Sequence, residues 1–269
     1  MQPVDYTTLV AVCGELRQTL LPARVETVYQ CDRHTLALGL RTFEGRRWLT
    51  ISWHPEAARL HLGEAPPRDP DTFAFSQQLL HQLKGLALGA IAFTQPWERS
   101  LDLQFALRPG EPARWHLYLE VMGKHSNLLL VDAEGTIVTA AHQVGSQQSS
   151  VRPIQTGGRY VPPPGLTEAT PDPAEPYERW QERVALIPGA IARQLRSSYR
   201  GLGTRLSEVL VVAAGLSPDQ PSDQLSDVQW QALFAAWSDW LRRLESGDWQ
   251  PHRTERGYQL LPGPGAQTA

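Results

Sequence analysis

The sequence predicts an α+β protein in two parts: a duplicated helix-plus-sheet sandwich to about residue 165, followed by an all-α module. Three observations carry this. Apolar residues alternate with polar ones in two stretches, 23–63 and 88–132, each preceded by a helical pattern. Pro162, Pro163, Pro164, Pro171, Pro173 and Pro176 crowd the point where the alternation ends, and proline cannot donate to a strand ladder. Beyond them the apolar spacing lengthens to three and four residues, the period of a helix face.

The elements follow in order. Asp5 is a plausible N-cap for a helix carrying Leu9, Val12, Cys13, Leu16 and Leu20, which Pro22 stops. Strands are expected over Val25–Gln30, His34–Arg41, Arg47–Trp53 and Ala58–Leu62, then a Pro- and Asp-rich loop over Glu64–Pro70. A second helix, Thr72–Lys84, turns Phe75, Leu79 and Leu83 inward and ends at Gly85. Placing Gln30 over Gln95 sets Val25 over Ala90, Val28 over Phe93, Leu36 over Leu101, Leu38 over Leu103 and Leu40 over Phe105. Two such sheets can bury their apolar faces against one another.

The next stretch, Glu120–Pro164, is the densest in turn chemistry. A strand ends at Glu120, the chain corners at Met122, Gly123 and Lys124, and Ser126 and Asn127 lead into an apolar strand over Leu128–Val131. Asp132–Gly135 form a hairpin turn, returning Thr136–His142 as a strand. A polar loop, Gly145–Ser150, delivers Val151 and Arg152 to a Gly-rich turn and a polyproline exit. Residues 166–176 are expected as a stiff linker. Residues 177–246 form the helical module, with helices over Tyr177–Leu186, Ala190–Tyr199, Thr204–Ala214 and Ser226–Glu245. Residues 247–269, apart from Tyr258–Leu261, are expected to be extended or disordered.

Composition narrows the function classes. The chain of 269 residues has 25 Lys and Arg against 28 Asp and Glu, so no global basic field announces nucleic acid and any such contact must be local. Almost all of the cations are arginine, whose planar fork suits phosphate. Cys13 and Cys31 lack metal or disulfide spacing and are expected as buried thiols, and the eight histidines show no ligand spacing, so no metal site is predicted. With no apolar run near the roughly 20 residues of a membrane helix and no signal-peptide pattern at Met1–Tyr6, the expected location is the cytoplasm, without a membrane partner. No nucleophile elbow or phosphate-binding loop is present. Neither a catalytic residue, a cofactor nor a small-molecule substrate is predicted.

Glu120-x-Met122-Gly123-x-x-Ser126-Asn127, then Ser149-x-x-Arg152 and Gly158-x-Tyr160-x-Pro162-Pro163, resembles the N-terminal domain of the NFACT family of ribosome-associated quality-control factors. Many bacterial members of that family carry the label fibronectin-binding protein. The resemblance implies a fold similar to the N-terminal domain of formamidopyrimidine-type DNA glycosylases. It does not imply their chemistry, because the chain starts Met1-Gln2-Pro3 instead of with a proline amine, and their zinc finger is missing. It implies binding to tRNA (alanyl-tRNA in bacteria) and to a large ribosomal subunit obstructed by peptidyl-tRNA, so that a stalled chain is extended with a C-terminal tail. In the family an Asp-Arg pair engages tRNA; Glu98-Arg99 resembles it, with one extra methylene on the acid. Asp5 matches an acidic residue near the family's N-terminus and serves equally well as a helix cap. Lys124, His125, Ser126, Asn127 and Arg152 are the further tRNA-binding candidates, Ser126 and Asn127 being explained equally well as a turn stapled by its own side chains. Tyr199–Gly203 resembles the hairpin of a helix-hairpin-helix, in which Arg200, Gly201, Gly203 and Arg205 would meet a nucleic-acid backbone. The alternatives from other classes are a fibronectin-binding surface adhesin and a DNA-binding protein of glycosylase-like fold.

Overall fold

The computed structural model describes residues 3–67, 69–145, 147, 149, 151–165, 167–254 and 257–261. Parts of the expected polar loop (Ser146, Gln148 and Ser150) and the tail from residue 262 lie outside them. The chain divides into two compact units, Val12–Pro164 and Gly165–Ala269, the second also taking in Val4–Ala11.

The first unit is one antiparallel sheet of nine strands in the order β4-β3-β2-β1-β5-β6-β7-β8-β9. Helix α1 (Tyr6–Leu20) precedes β1 (Ala23–Asp32), β2 (Thr35–Thr42), β3 (Gly45–Ser52) and β4 (Arg59–Gly63). Helix α2 (Ala74–Leu83) precedes β5 (Ala87–Phe93), β6 (Ser100–Ala106), β7 (Trp115–Glu120), β8 (Asn127–Asp132) and β9 (Ile137–Ala140). The strand order is thus mirrored about the β1–β5 pair. The two halves, expected as separate packed sheets, share one ladder because the first residues of β1 and β5 pair, Ala23 with Leu88 and Arg24 with Ala87.

The register also corrects the offset of the repeat. Gln30 pairs with Leu36, and Phe93 with Leu101, so Phe93 takes the place of Gln30 and Leu88 that of Val25. Five residues separate the first of these pairs along the chain and seven the second, so the β5–β6 turn is two residues longer than the β1–β2 turn. The bulges fall at equivalent places, skipping Glu26 between Val25 and Thr27 and Gly89 between Leu88 and Ala90. A shared bulge is a local backbone irregularity that chance alternation of apolar residues would not reproduce. With this offset Cys13, Leu16 and Leu20 on α1 match Ser76, Leu79 and Leu83 on α2, and all six are buried. Burial also raises the Cys13 thiol pKa to about 11, so it stays protonated. Cys31, expected to be buried, is exposed near the end of β1.

In the second half, strand alternation sorts two faces. Leu101, Leu103, Phe105, Leu117, Leu119, Leu128 and Leu130 are buried on one. The other carries Ser100, Asp102, Gln104, His116, Tyr118 and Glu120, together with Leu129 and Val131. The segment after β9 packs on the second face: Ile154 joins Leu129, Val131, Ile137 and Ala140, with Tyr118, Val144 and Tyr160 against them.

The second unit contains α3 (Tyr177–Ala185), α4 (Ile191–Ser198), α5 (Thr204–Ala213) and α6 (Asp227–Ser246). Its core is aromatic: Trp180, Trp237 and Trp240 are buried, with Trp230 and Phe234 around Trp180 and Tyr199 against Trp237. Two expectations change here. The proline-rich linker is packed: Ala169 bonds the backbone of Ser198 and Arg200, and Pro171 is buried. The tail contains a hairpin, β10 (His252–Thr254) with β11 (Gly257–Gln259), followed by buried Leu261. Leu260, Leu261 and Tyr258 supply the apolar surface that makes this ordering favourable.

Candidate nucleic-acid interface

The motif residues of the first unit gather at one end of the sheet. Because Ser100 pairs with Glu120 and Glu120 with Asn127, the β5–β6 and β7–β8 turns emerge side by side. The Val121 N–H donates to the Arg99 carbonyl at 2.8 Å and ties the turns together. The longer turn, Thr94–Arg99, is closed by Thr94 N–H donating to the Ser100 carbonyl at 3.0 Å. Trp97 adopts φ +65°, a left-handed conformation rare for a bulky residue, immediately before Glu98 and Arg99. Both of these charged residues are half-buried.

The neighbouring turn shows which polar residues are used internally. Gly123 has φ +59° and starts a short 3₁₀ turn, Gly123–His125. The Ser126 hydroxyl accepts from Met122 N–H at 2.9 Å. Asn127 clamps β8 to the far strand: its Oδ1 accepts from the N–H groups of Leu128 and His142, and its Nδ2 donates to the His142 carbonyl at 2.7 Å. Both side chains are buried, so they hold the corner instead of facing solvent. Lys124 and His125 are exposed at its tip.

Arg152 is also committed internally. Its guanidinium grips both carboxylate oxygens of Glu120, which is 0% exposed, and its Nε donates to the Val161 carbonyl at 2.6 Å. Tyr160 donates to Glu120 Oε1 at 3.1 Å and stacks on Tyr118 with centroids 4.0 Å apart. Burial and the Glu120 charge push the Tyr160 phenol well above its ordinary range. Tyr118 in turn stacks on His116, whose Nδ1 lies 2.9 Å from Asp102 Oδ2. The hydrogen bond to Asp102 raises the His116 pKa against the effect of burial, and burial with the same carboxylate raises Tyr118 to about 12. Thus Glu120, Arg152 and Tyr160, far apart in sequence, form one assembly around the buried Glu120 carboxylate that fastens the crossing segment to the sheet. Asp102, His116 and Tyr118 were not singled out from sequence. The signal was strand parity, which puts Asp102 and His116 on the face that receives Tyr160.

In the second unit α4 and α5 flank the turn Tyr199–Gly203, with Gly201 at φ +83°. The Arg200 Nε donates to the Glu168 carbonyl at 3.0 Å, and Arg205 approaches Glu208 at 3.8 Å. Asp5 accepts from Thr8 N–H at 2.8 Å and so caps α1; a Cβ placed on Gly203 would lie 3.3 Å from its Cβ. Asp5 and Arg205 line the same small cavity.

These features define an antiparallel sheet whose connecting turns carry an acid-arginine pair beside a lysine-bearing glycine corner, and a helical unit in which a glycine-containing turn joins α4 and α5. The chain belongs to the NFACT family: its model of the N-terminal and middle domains matches residues 5–267. The protein named Rqc2 homolog RqcH of Streptococcus suis is 31% identical over 261 residues, which are 93% of this chain and 42% of that protein. The one of that name from Streptococcus pneumoniae is 28% identical over 198 residues, 71% of this chain and 35% of that protein. The chain therefore spans less than half the length of these relatives. The solved N-terminal part of the fibronectin/fibrinogen-binding protein from Streptococcus suis aligns with TM-score 0.73 at 24% identity, covering 98% of this chain and 92% of that one. Among the described residues no helix is long and apolar enough to cross a membrane.

Proposed function

We propose that this chain is the tRNA- and large-subunit-binding part of a ribosome-associated quality-control factor, recruiting tRNA for C-terminal tailing of stalled nascent chains. Peptide transfer belongs to the ribosome in this reading, and the chain supplies positioning. The observation that carries it is the hydrogen-bonded pair of turns bringing Glu98 and Arg99 next to the exposed Lys124 in a member of the NFACT family. Arg99 and Lys124 are the phosphate contacts, and Glu98 orients Arg99. Ser126 and Asn127 act through the corner they hold, Arg152 through the segment it fastens to Glu120, and Asp5 through the start of α1. The Tyr199–Gly203 turn, used as a helix-hairpin-helix, offers Arg200, Arg205 and the N–H groups around Gly201 and Gly203 as a further backbone contact.

A salt titration of tRNA binding tests this, with melting temperatures alongside. Arg99→Ala removes one phosphate contact and should lower the slope of log affinity against log salt by roughly one. Glu98→Asp restores the usual family pair and should preserve or improve binding, whereas Glu98→Ala should weaken it. An Arg99→Ala protein that stays folded and binds tRNA with unchanged slope and affinity would remove the corner from the interface.

A further inference from the structure

A groove of about 500 Å³ opens where the two repeats meet, walled by residues of both halves. Its origin is the brevity of the join: β1 and β5 share two register pairs and then run apart. The β2–β3 and β6–β7 turns flank the gap from opposite halves. Ala23 and Ala87 form the buried floor, while Phe43 from the first turn is 93% exposed and Leu107 from the second 52% exposed. Two large apolar side chains held open on facing turns, above an apolar floor, make a surface that gains by being covered.

The charge around it is positive. Arg24 lines the groove, with exposed Lys84 and Arg108 next to its lining residues, and none of the three makes an ion pair among the described residues. Arg41, also in the lining, is held by Glu26. Of the two acids in the flanking turns, Glu44 is taken by Arg47, and Glu111 of the β6–β7 turn makes no ion pair among the described residues. This excess sits in a chain whose net charge is −3. We propose that the groove binds a linear segment of a partner protein in which an apolar side chain is flanked by Asp or Glu, the apolar group lying between Phe43 and Leu107 and the carboxylates facing Arg24, Lys84 and Arg108. Apart from Phe43 the lining offers no aromatic plane on which single-stranded bases could stack, and a phosphate backbone would leave the exposed Phe43 and Leu107 without an apolar partner, so a peptide fits this surface better than RNA.

The test is fluorescence anisotropy with a labelled peptide carrying Leu-Phe between Asp-Glu pairs, and a second in which the acids are amides. The acidic peptide should bind the whole chain, lose affinity as salt rises, and exceed the amide peptide at least tenfold. Leu107→Asp and Arg24→Glu, both at exposed positions that leave the core intact, should each weaken it at least tenfold while tRNA affinity is unchanged. Absence of binding, equal binding by both peptides, or equal binding by the variants would overturn the proposal. So would a loss of tRNA affinity in the same variants, since the groove would then belong to the RNA surface.

Discussion

At Glu120 the sheet buries a carboxylate completely, which is tolerable only because Arg152 pairs with both oxygens and Tyr160 donates a further hydrogen bond. Arg152→Met should therefore leave an unpaired buried charge and cost about 3–5 kcal/mol by urea denaturation. Glu120→Gln combined with Arg152→Met should cost less than Arg152→Met alone, and a double variant no more stable than the single would show that charge is not the cause. A loss of tRNA binding in Arg152→Met has to be read against this loss of folding. The Asp102–His116 pair gives a pH test. The folded His116 pKa is raised above the unfolded value of about 6.5, so the pair's contribution is fully present below that pH and fades as pH rises through the folded pKa. His116→Asn should thus be more destabilising, relative to the native protein, at about pH 5.5 than at about pH 8.5; an equal difference at both would deny the charge a role. From sequence, Arg152 looked like a phosphate ligand because an arginine in a polar loop shows its charge but not its partner. Glu120 lies 32 residues away, and only the return of the chain over β7 brings them together.

At the scale of elements, helices and strands were legible wherever periodicity had a physical enforcer. Helix α6 is the clearest case. Ser226 and Gln229 form a reciprocal capping box at its start, and Gly247 ends it at φ +70°. Ser226→Ala should cost about 1 kcal/mol and speed amide exchange in the first turn, whereas exchange spread evenly along α6 would mean that the cap does not control fraying. The repeat was legible in β2 and β6, where Leu36, Leu38 and Leu40 do match Leu101, Leu103 and Phe105 in register with their partners. It was misaligned by two residues in β1 and β5 because the extra length lies in the Thr94–Arg99 turn, and turns tolerate insertion at little free-energy cost. Composition also hid the packing of Ala169 and Pro171: a proline-rich segment reads as a spacer, but its carbonyls can still accept and its rings can still be buried.

For the whole molecule the governing quantity is charge. A chain with 25 cations and 28 anions has no long-range attraction for a polyanion, so the tRNA binding proposed for it would have to come from a small number of close contacts. Many arginines are already occupied: Arg41 and Arg46 by Glu26, Arg152 by Glu120, Arg183 by Glu175 and Arg243 by Asp239. If Arg99 and Lys124 in the first unit and Arg200 and Arg205 in the second each meet one phosphate, log affinity should fall against log salt with a slope of about −3 to −4. The two units then make separable contributions. Arg99→Ala and Arg200→Ala should each reduce the slope by roughly one, and the double variant by roughly two, because contacts without shared partners add. Unchanged melting temperatures would establish that folding is not the cause. A slope that responds to Arg99→Ala but not to Arg200→Ala would leave the glycine hairpin as a structural turn and confine tRNA recognition to the sheet corner; a wild-type slope near zero would mean that phosphate contacts do not drive binding at all.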